Sequence, residues 1–167
     1  MVAQPLNIQV ITVSDTRTEE TDRSGAVLVE KLQQAGHQLL GKVIIPDDVY
    51  QLRAAVSVGI ADPQTQVILM TGGTGFTARD NTQRAVEPLL EVRIDGFGEL
   101  FRHLSFDEIG TSTIQSRAFA GLSNGTIVFC VPGSPGACQT AWDRIIAEQL
   151  DSAHRPCNFV DKLKSLS

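Results

Sequence analysis

Cysteine is scarce: Cys130, Cys138 and Cys157 are the only three in 167 residues. An odd number without C-x-x-C spacing argues against a disulfide framework or a zinc site and favours a reducing compartment. Cys130 and Cys138 stand in apolar surroundings and read as small buried residues. Long apolar runs are missing too; Thr126–Val131, among the strongest, has the length of a strand and not of a bilayer span. Met1–Asn7 lacks the basic and apolar regions of a secretory signal. Positive charge is in deficit, with 14 Lys plus Arg against 19 Asp plus Glu and a formal net charge of −5. Such a balance is unsuited to general nucleic-acid binding, which needs a basic surface. His37, His103 and His154 show no metal-ligand spacing and adjoin no nucleophile, so each reads as a surface or partly buried residue. No G-x-S-x-G elbow is present for Ser–His–Asp hydrolysis. These absences predict a soluble, cytoplasmic protein with neither membrane nor nucleic-acid partner, whose chemistry needs no histidine base.

Hydrophobic residues at 42% and charged ones at 20% are ordinary globular usage, and the length fits one domain, 1–167, large enough to fold without a metal or disulfide staple. Asn7–Val13 is apolar or β-branched at nearly every position, as in a strand covered on both faces. Leu28, Leu32 and Ala35 recur at helical spacing from Ser24 to Ala35, and Gly36 is a natural stop. Lys42–Ile45 reads as a second strand. A second helix carries Val49, Leu52, Val56 and Ile60 on one face, with Asp47 and Asp48 as capping candidates. Gln66–Met70 is a third buried strand, followed by a helix over Thr82–Leu90. Gly96–Gly110 adds an extra helix flanked by small β-forming pieces. Thr126–Val131 is the last strong strand and leads into a long helix containing Ala141, Trp142, Ile145 and Ile146. The tail 152–167 looks irregular. Alternating strands and helices with crossover-length connections predict an α/β fold: a three-layer sandwich whose mostly parallel sheet has helices on both faces.

Ligands in such sheets bind at the carboxyl ends of the strands. Thr71-Gly72-Gly73-Thr74-Gly75 lies at one of these ends, and its glycines would let backbone N–H groups approach an anion. The loop is neither a Walker A motif nor the G-x-G-x-x-G fingerprint, so NAD is not favoured. Pro132-Gly133-Ser134-Pro135-Gly136 is a second such loop. Ser134 and Pro135 suit a helix start, whereas Gly133 is not needed for one and would open room for a ligand. Asp47 and Asp48 follow the second strand and Asp80 follows the glycine loop; two carboxylates at neighbouring strand ends suit Mg²⁺, which takes few protein oxygens and completes its shell with water and substrate phosphates. On spacing alone capping is the better reading of each aspartate taken separately: Asp80 with Gln83 makes a capping-box pattern, and Asp47 or Asp48 can cap the second helix. Arg79, Arg84, Arg102 and Arg117 are candidates for local positive charge, or for solvated surface and interface positions.

Thr71–Gly75 followed by Arg79-Asp80, with Pro46-Asp47-Asp48 upstream, Gly96-Phe97-Gly98-Glu99 and Pro132-Gly133-Ser134-Pro135, resembles the molybdenum cofactor biosynthesis family that includes MoaB, MogA and the related domains of gephyrin. Phe101–Arg117, Thr140-Ala141-Trp142 and Arg155–Phe159 resemble its MoaB branch in particular, so the likeness covers nearly the whole chain. The resemblance implies a molybdopterin-binding domain, assembled as a homotrimer or homohexamer and working with other enzymes of the molybdenum cofactor pathway. Active members are adenylyltransferases that join molybdopterin to AMP, using ATP with Mg²⁺ and releasing pyrophosphate. The alternative is a non-catalytic protein that holds molybdopterin or its precursor. By the resemblance, Asp47 and Asp80 are the catalytic, metal-positioning pair. Gly72, Gly73, Thr74, Gly75, Ser105, Pro132, Gly133 and Ser134 form the pterin and phosphate site, and Asp15 and Glu99 lie in motifs without an assigned role. Gln83 stands where the family often has proline, which predicts a softer entry into the helix with the chemistry intact.

Overall fold

From its amino end the chain forms β1 (Asn7–Val13), α1 (Arg23–Ala35), β2 (Gln38–Ile45), α2 (Val49–Ala61) and β3 (Val67–Thr71). It continues with α3 (Thr82–Val86), β4 (Val92–Arg93), α4 (Asp95–Ile109), β5 (Phe119–Ser123) and β6 (Thr126–Val131). Helix α5 (Pro135–Ala141) passes through a π-helical turn at Trp142–Ile146 into α6 (Ala147–Gln149). The computed structural model describes residues 4–166; the extreme ends of the expected 1–167 domain, including the start of Met1–Asn7, lie outside the described residues. The six strands are ordered β2-β1-β3-β6-β5-β4. Pairs β2–β1, β1–β3 and β3–β6 are parallel, and β6–β5 and β5–β4 are antiparallel. A mixed sheet with helices on both sides is the expected class, with one edge turned antiparallel.

Period-two alternation in the central strands feeds two cores. Val67 and Leu69 of β3, with Ile127 and Phe129 of β6, face α1, α4 and α5 through Leu28, Leu32, Phe101 and Trp142. Ile68, Met70, Val128 and Cys130 face the other way, onto Leu52 and Val56 of α2 and Ala85 and Val86 of α3. Cys138 is buried in the first core and Cys130 in the second; burial pushes both thiols up, Cys138 to about 11, so neither is a reactive thiolate. Strand β2 starts earlier than the expected Lys42. As an edge strand it buries fully only Ile45, so its first half has no apolar run to announce it. Helix α3 is shorter than expected because Pro88 can supply no N–H to continue it, and a 3₁₀ turn at Glu87–Leu89 follows. Among the described residues no helix is long and apolar enough to cross a membrane.

Asp22 ties three of these elements together. Its carboxylate, fully withdrawn from solvent, caps α1 through the Gly25 amide (2.9 Å), accepts the Thr12 hydroxyl of β1 (2.7 Å) and meets Lys42 Nζ of β2 at 2.9 Å. Burial alone would raise its pKa, but these partners outweigh it and hold the carboxyl below its ordinary range.

His37 departs from the expected surface or partly buried position. It is buried just beyond α1, where Nδ1 accepts the Leu6 amide (3.1 Å) and the ring meets Trp142 edge-on, while Nε2 has no partner among the described residues. Burial pushes its pKa down to about 4, against only a partial pull from Asp151. The unfolded chain therefore binds a proton below about pH 6.5 that the folded chain refuses until about pH 4, and stability falls with pH across that window. Between pH 7 and 4.5, His37→Asn, which keeps an acceptor for the Leu6 amide, should lose about 2 kcal/mol less stability than the wild type. Urea unfolding at the two pH values measures the difference.

Candidate functional site

The parallel strands direct their carboxyl ends to one edge of the sheet, and the chain reverses direction there: α1 leads from β1 outward to β2, while α2 leads back across β1 to β3. A crevice forms at such a switch because the loops after β1 and β3 diverge. Here residues of the loops after β1, β2, β3 and β6, together with the first turn of α5, with α4 and with the turn after α4, surround a cavity of about 570 Å³.

The glycine loop forms its floor. Gly72 has φ +102°, and a Cβ there would stand 2.4 Å from the Val13 carbonyl oxygen. Gly73 has φ +65°, and its Cβ would stand 2.3 Å from Thr82 Oγ1. The Gly72 amide donates to the Val131 carbonyl (3.0 Å), and the Thr71 hydroxyl donates to that of Pro132 (2.9 Å), joining the loops after β3 and β6. Thr82 donates its hydroxyl to the Gly72 carbonyl (2.8 Å) and its amide to that of Gly73 (3.0 Å). Helix α3 thus starts as a brace for the loop. At the far end, the Arg117 guanidinium donates to the carbonyls of Gly75 and Asp80 and lies over the Phe76 ring.

The structure separates the capping readings. Asp48 caps α2, accepting the amides of Tyr50 (3.0 Å) and Gln51 (2.9 Å). Asp47 caps nothing: its carboxylate accepts the Asn81 amide (3.0 Å), and its own amide donates to Asp15 (3.0 Å). The other oxygen of Asp15 pairs with Arg79, which holds the Asp15 carboxyl below its ordinary range. Asp80 and Gln83 form no capping box. Asp80 accepts the amide (2.8 Å) and hydroxyl (2.6 Å) of Thr77, and Gln83 turns instead to Glu87 (2.7 Å).

Burial raises the pKa of Asp47, the nearby charges of Asp80 and Asp15 add to the rise, and the Asn81 bonds oppose it. Burial pushes Asp80 the same way, but its bonds from Thr77 and Gly75 and the charge of Arg117 prevail and hold it low. Asp47 Oδ2 lies 3.2 Å from where a Gly73 Cβ would be, and Asp80 Oδ2 2.7 Å from the equivalent point on Gly75. Both carboxylates therefore border the glycine loop and face one cavity.

Of the residues singled out from sequence, Asp15, Asp47, Asp80, Gly72, Gly73, Thr74, Gly75, Ser105, Pro132, Gly133 and Ser134 all line this cavity. Ser134 also caps α5 through the Ala137 amide (3.1 Å), so the capping and cleft roles coexist. Glu99 does not join them; it lies in a separate shallow depression beside Arg93 and Arg102. None of Arg79, Arg84, Arg102 and Arg117 lines the cavity either. The basic residue that does is Arg17, with Ser14, Glu108, Ser112, Gln115 and Ser116 also unforeseen. Their sequence signals are of position only: Ser14 and Arg17 belong to the polar loop after the first strand, and the other four lie within Phe101–Arg117. Among the described residues no three His, Cys, Asp or Glu side chains gather as a metal-holding group.

The family model described as "Probable molybdopterin binding domain" matches residues 9–152. Molybdenum cofactor biosynthesis protein B of Escherichia coli (strain K12) is 52% identical over 160 residues, covering 96% of this chain and 94% of that protein. A crystal structure of molybdenum cofactor biosynthesis protein B superposes with a TM-score of 0.86 at 43% identity, over 90% of this chain and 94% of the other. The tungsten cofactor synthesizing protein MoaB from Pyrococcus furiosus gives a TM-score of 0.78 at 35% identity, over 87% and 92% of the two chains.

Alanine at Gly72 must carry a side chain at positive φ against a backbone oxygen that cannot swing away. Gly72→Ala should cost roughly 2–4 kcal/mol of stability. Alanine at Gly136, where an added Cβ meets nothing within 4 Å, should be nearly neutral; thermal unfolding of both variants tests the contrast.

Proposed function

This chain belongs to the molybdenum cofactor biosynthesis proteins of MoaB type, and from that membership we propose that its cleft binds molybdopterin and adenylylates it with ATP and Mg²⁺, releasing pyrophosphate. The observation that carries the proposal is the placement of Asp47 and Asp80: neither caps a helix, and both border the glycine loop in one cavity. A protein that only held a pterin would need the loop but not the pair.

In the proposed reaction a terminal phosphate oxygen of molybdopterin attacks the α-phosphorus of ATP. The bond from that phosphorus to the bridging oxygen breaks, and pyrophosphate departs with the electron pair. The attacking oxygen is already ionised at neutral pH, so no side chain has to remove a proton, in keeping with a cleft that no histidine lines. What remains is alignment and charge neutralisation. Amides of the glycine loop offer phosphate oxygens hydrogen bonds where no side chain intervenes. Asp47 and Asp80 suit Mg²⁺ as two hard oxygen donors whose shell water and substrate phosphates complete. The ion would there supply charge neutralisation between the approaching phosphates and the leaving group. Asp15 fixes the Asp47 main chain and Asn81 its carboxylate, which limits the reorientation needed when substrates arrive.

Purified protein incubated with molybdopterin, ATP and Mg²⁺ should yield AMP-linked pterin and pyrophosphate. Asp47→Asn, which keeps an acceptor for the Asn81 amide, should lower product formation on the order of 100-fold. Its molybdopterin affinity should stay within about threefold of wild type. Wild-type protein that binds pterin yet forms neither product would replace the transferase with the carrier alternative.

A further inference from the structure

We propose that Arg17 anchors the phosphate monoester of the pterin substrate without a metal, from the Gly72–Gly133 side of the glycine loop, so that it faces the metal-escorted phosphates taken on the carboxylate side. The proposal rests on the function just given and specifies how the ligands divide the cavity.

Charge along the glycine loop is unevenly distributed. Asp47 borders Gly73 and Asp80 borders Gly75. Arg17 stands on the Gly72–Gly133 side: its Nη2 donates to the Gly133 carbonyl (3.2 Å), and Gly133 in turn abuts Gly72, a Cβ on it falling 3.2 Å from the Gly72 Cα. Among the described residues Arg17 is the only Lys or Arg side chain in the cavity wall, which also holds Asp15, Asp47, Asp80 and Glu108. A phosphate that arrives without a cation is repelled along most of this wall and attracted at one point.

The guanidinium also has donors to give. Of its five N–H groups, one serves Ser24 Oγ (3.1 Å) and one Gly133. Among the described residues the rest have no partner, and the side chain is 33% exposed. Asp22 approaches only to 4.0 Å, and its carboxylate is already shared by Thr12, Gly25 and Lys42. The two bonds orient the planar group without exhausting it, the condition in which arginine holds a phosphate by paired donors. Arg79 and Arg117, which border the glycine loop outside the cavity wall, are engaged by Asp15 and by the carbonyls of Gly75 and Asp80.

The test measures two dissociation constants on the full chain: molybdopterin in the presence of EDTA, and ATP with Mg²⁺. Arg17→Gln should weaken molybdopterin at least about tenfold. It should weaken MgATP less than threefold. Arg17→Lys keeps the charge but loses the fork, and should weaken molybdopterin about threefold; it carries the test if the Gln variant melts early. Unchanged molybdopterin affinity in the folded Gln variant, or in the Lys variant when only that one folds, overturns the proposal. So does an equal or larger loss of MgATP binding. Wild-type protein that binds no molybdopterin overturns the functional reading itself, and this inference with it.

Discussion

Two backbones meet at the carboxyl edge of the sheet with no side chain between them, and the cleft depends on that contact. Gly72 and Gly133 approach closely enough that a methyl group on Gly133 would press against its neighbour, and Gly72 already has the Val13 carbonyl on its other side. Hydrogen bonds from Gly72 to Val131 and from Thr71 to Pro132 hold the two loops in register. Everything that borders the cavity is then placed relative to this junction. Ser24 and Arg17 donate to the Gly133 carbonyl, Thr82 reaches back to Gly72, and Asp47 and Asp80 flank the residues that follow.

The acidic wall is tolerable because each carboxylate has a fixed set of donors. Asp80 is held by Thr77, Asp47 by Asn81, Asp15 by Arg79 and the Asp47 amide, and Glu108 by the Thr140 hydroxyl. Preorganised donors reduce the desolvation cost of keeping negative charge around the cavity. Asp47 is the exception, since burial and like-charged neighbours leave it with a raised pKa. It is the carboxylate with most to gain from a bound cation.

Much of this was legible in the sequence, and the reasons for the remainder are specific. Strands β1 and β6 announce themselves because burial on both faces demands unbroken apolar character. The glycine loop announces itself because three glycines cluster directly after a buried strand, and two of them, Gly72 and Gly73, take positive φ in succession. The first half of β2 stayed hidden because an edge strand buries little, and β5 showed only as a small β-forming piece beyond the extra helix because its five residues include glycine and serine. Asp47 and Asp48 could not be told apart by spacing: adjacent carboxylates before a helix are equivalent caps until the fold shows which one turns away. Arg17 left still less trace. A lone arginine in a polar loop looks like solvated surface, and its significance comes from a carbonyl 116 positions along the chain. Glu99 errs the other way, being part of a recognisable segment that the fold turns from the cleft.

The irregular tail gathers at the amino ends of the parallel strands. The Lys164 amide donates to the Gly125 carbonyl at the β5–β6 turn, and its carbonyl accepts from Gln66 just before β3. Its ammonium group closes on the Ile60 and Asp62 carbonyls at the end of α2. The chain thus leaves its last described contacts on the rim opposite the cavity. Protein anchored to a sensor surface through that end would therefore present its open mouth to the flowing solution, with the whole depth of the sheet between ligand and support.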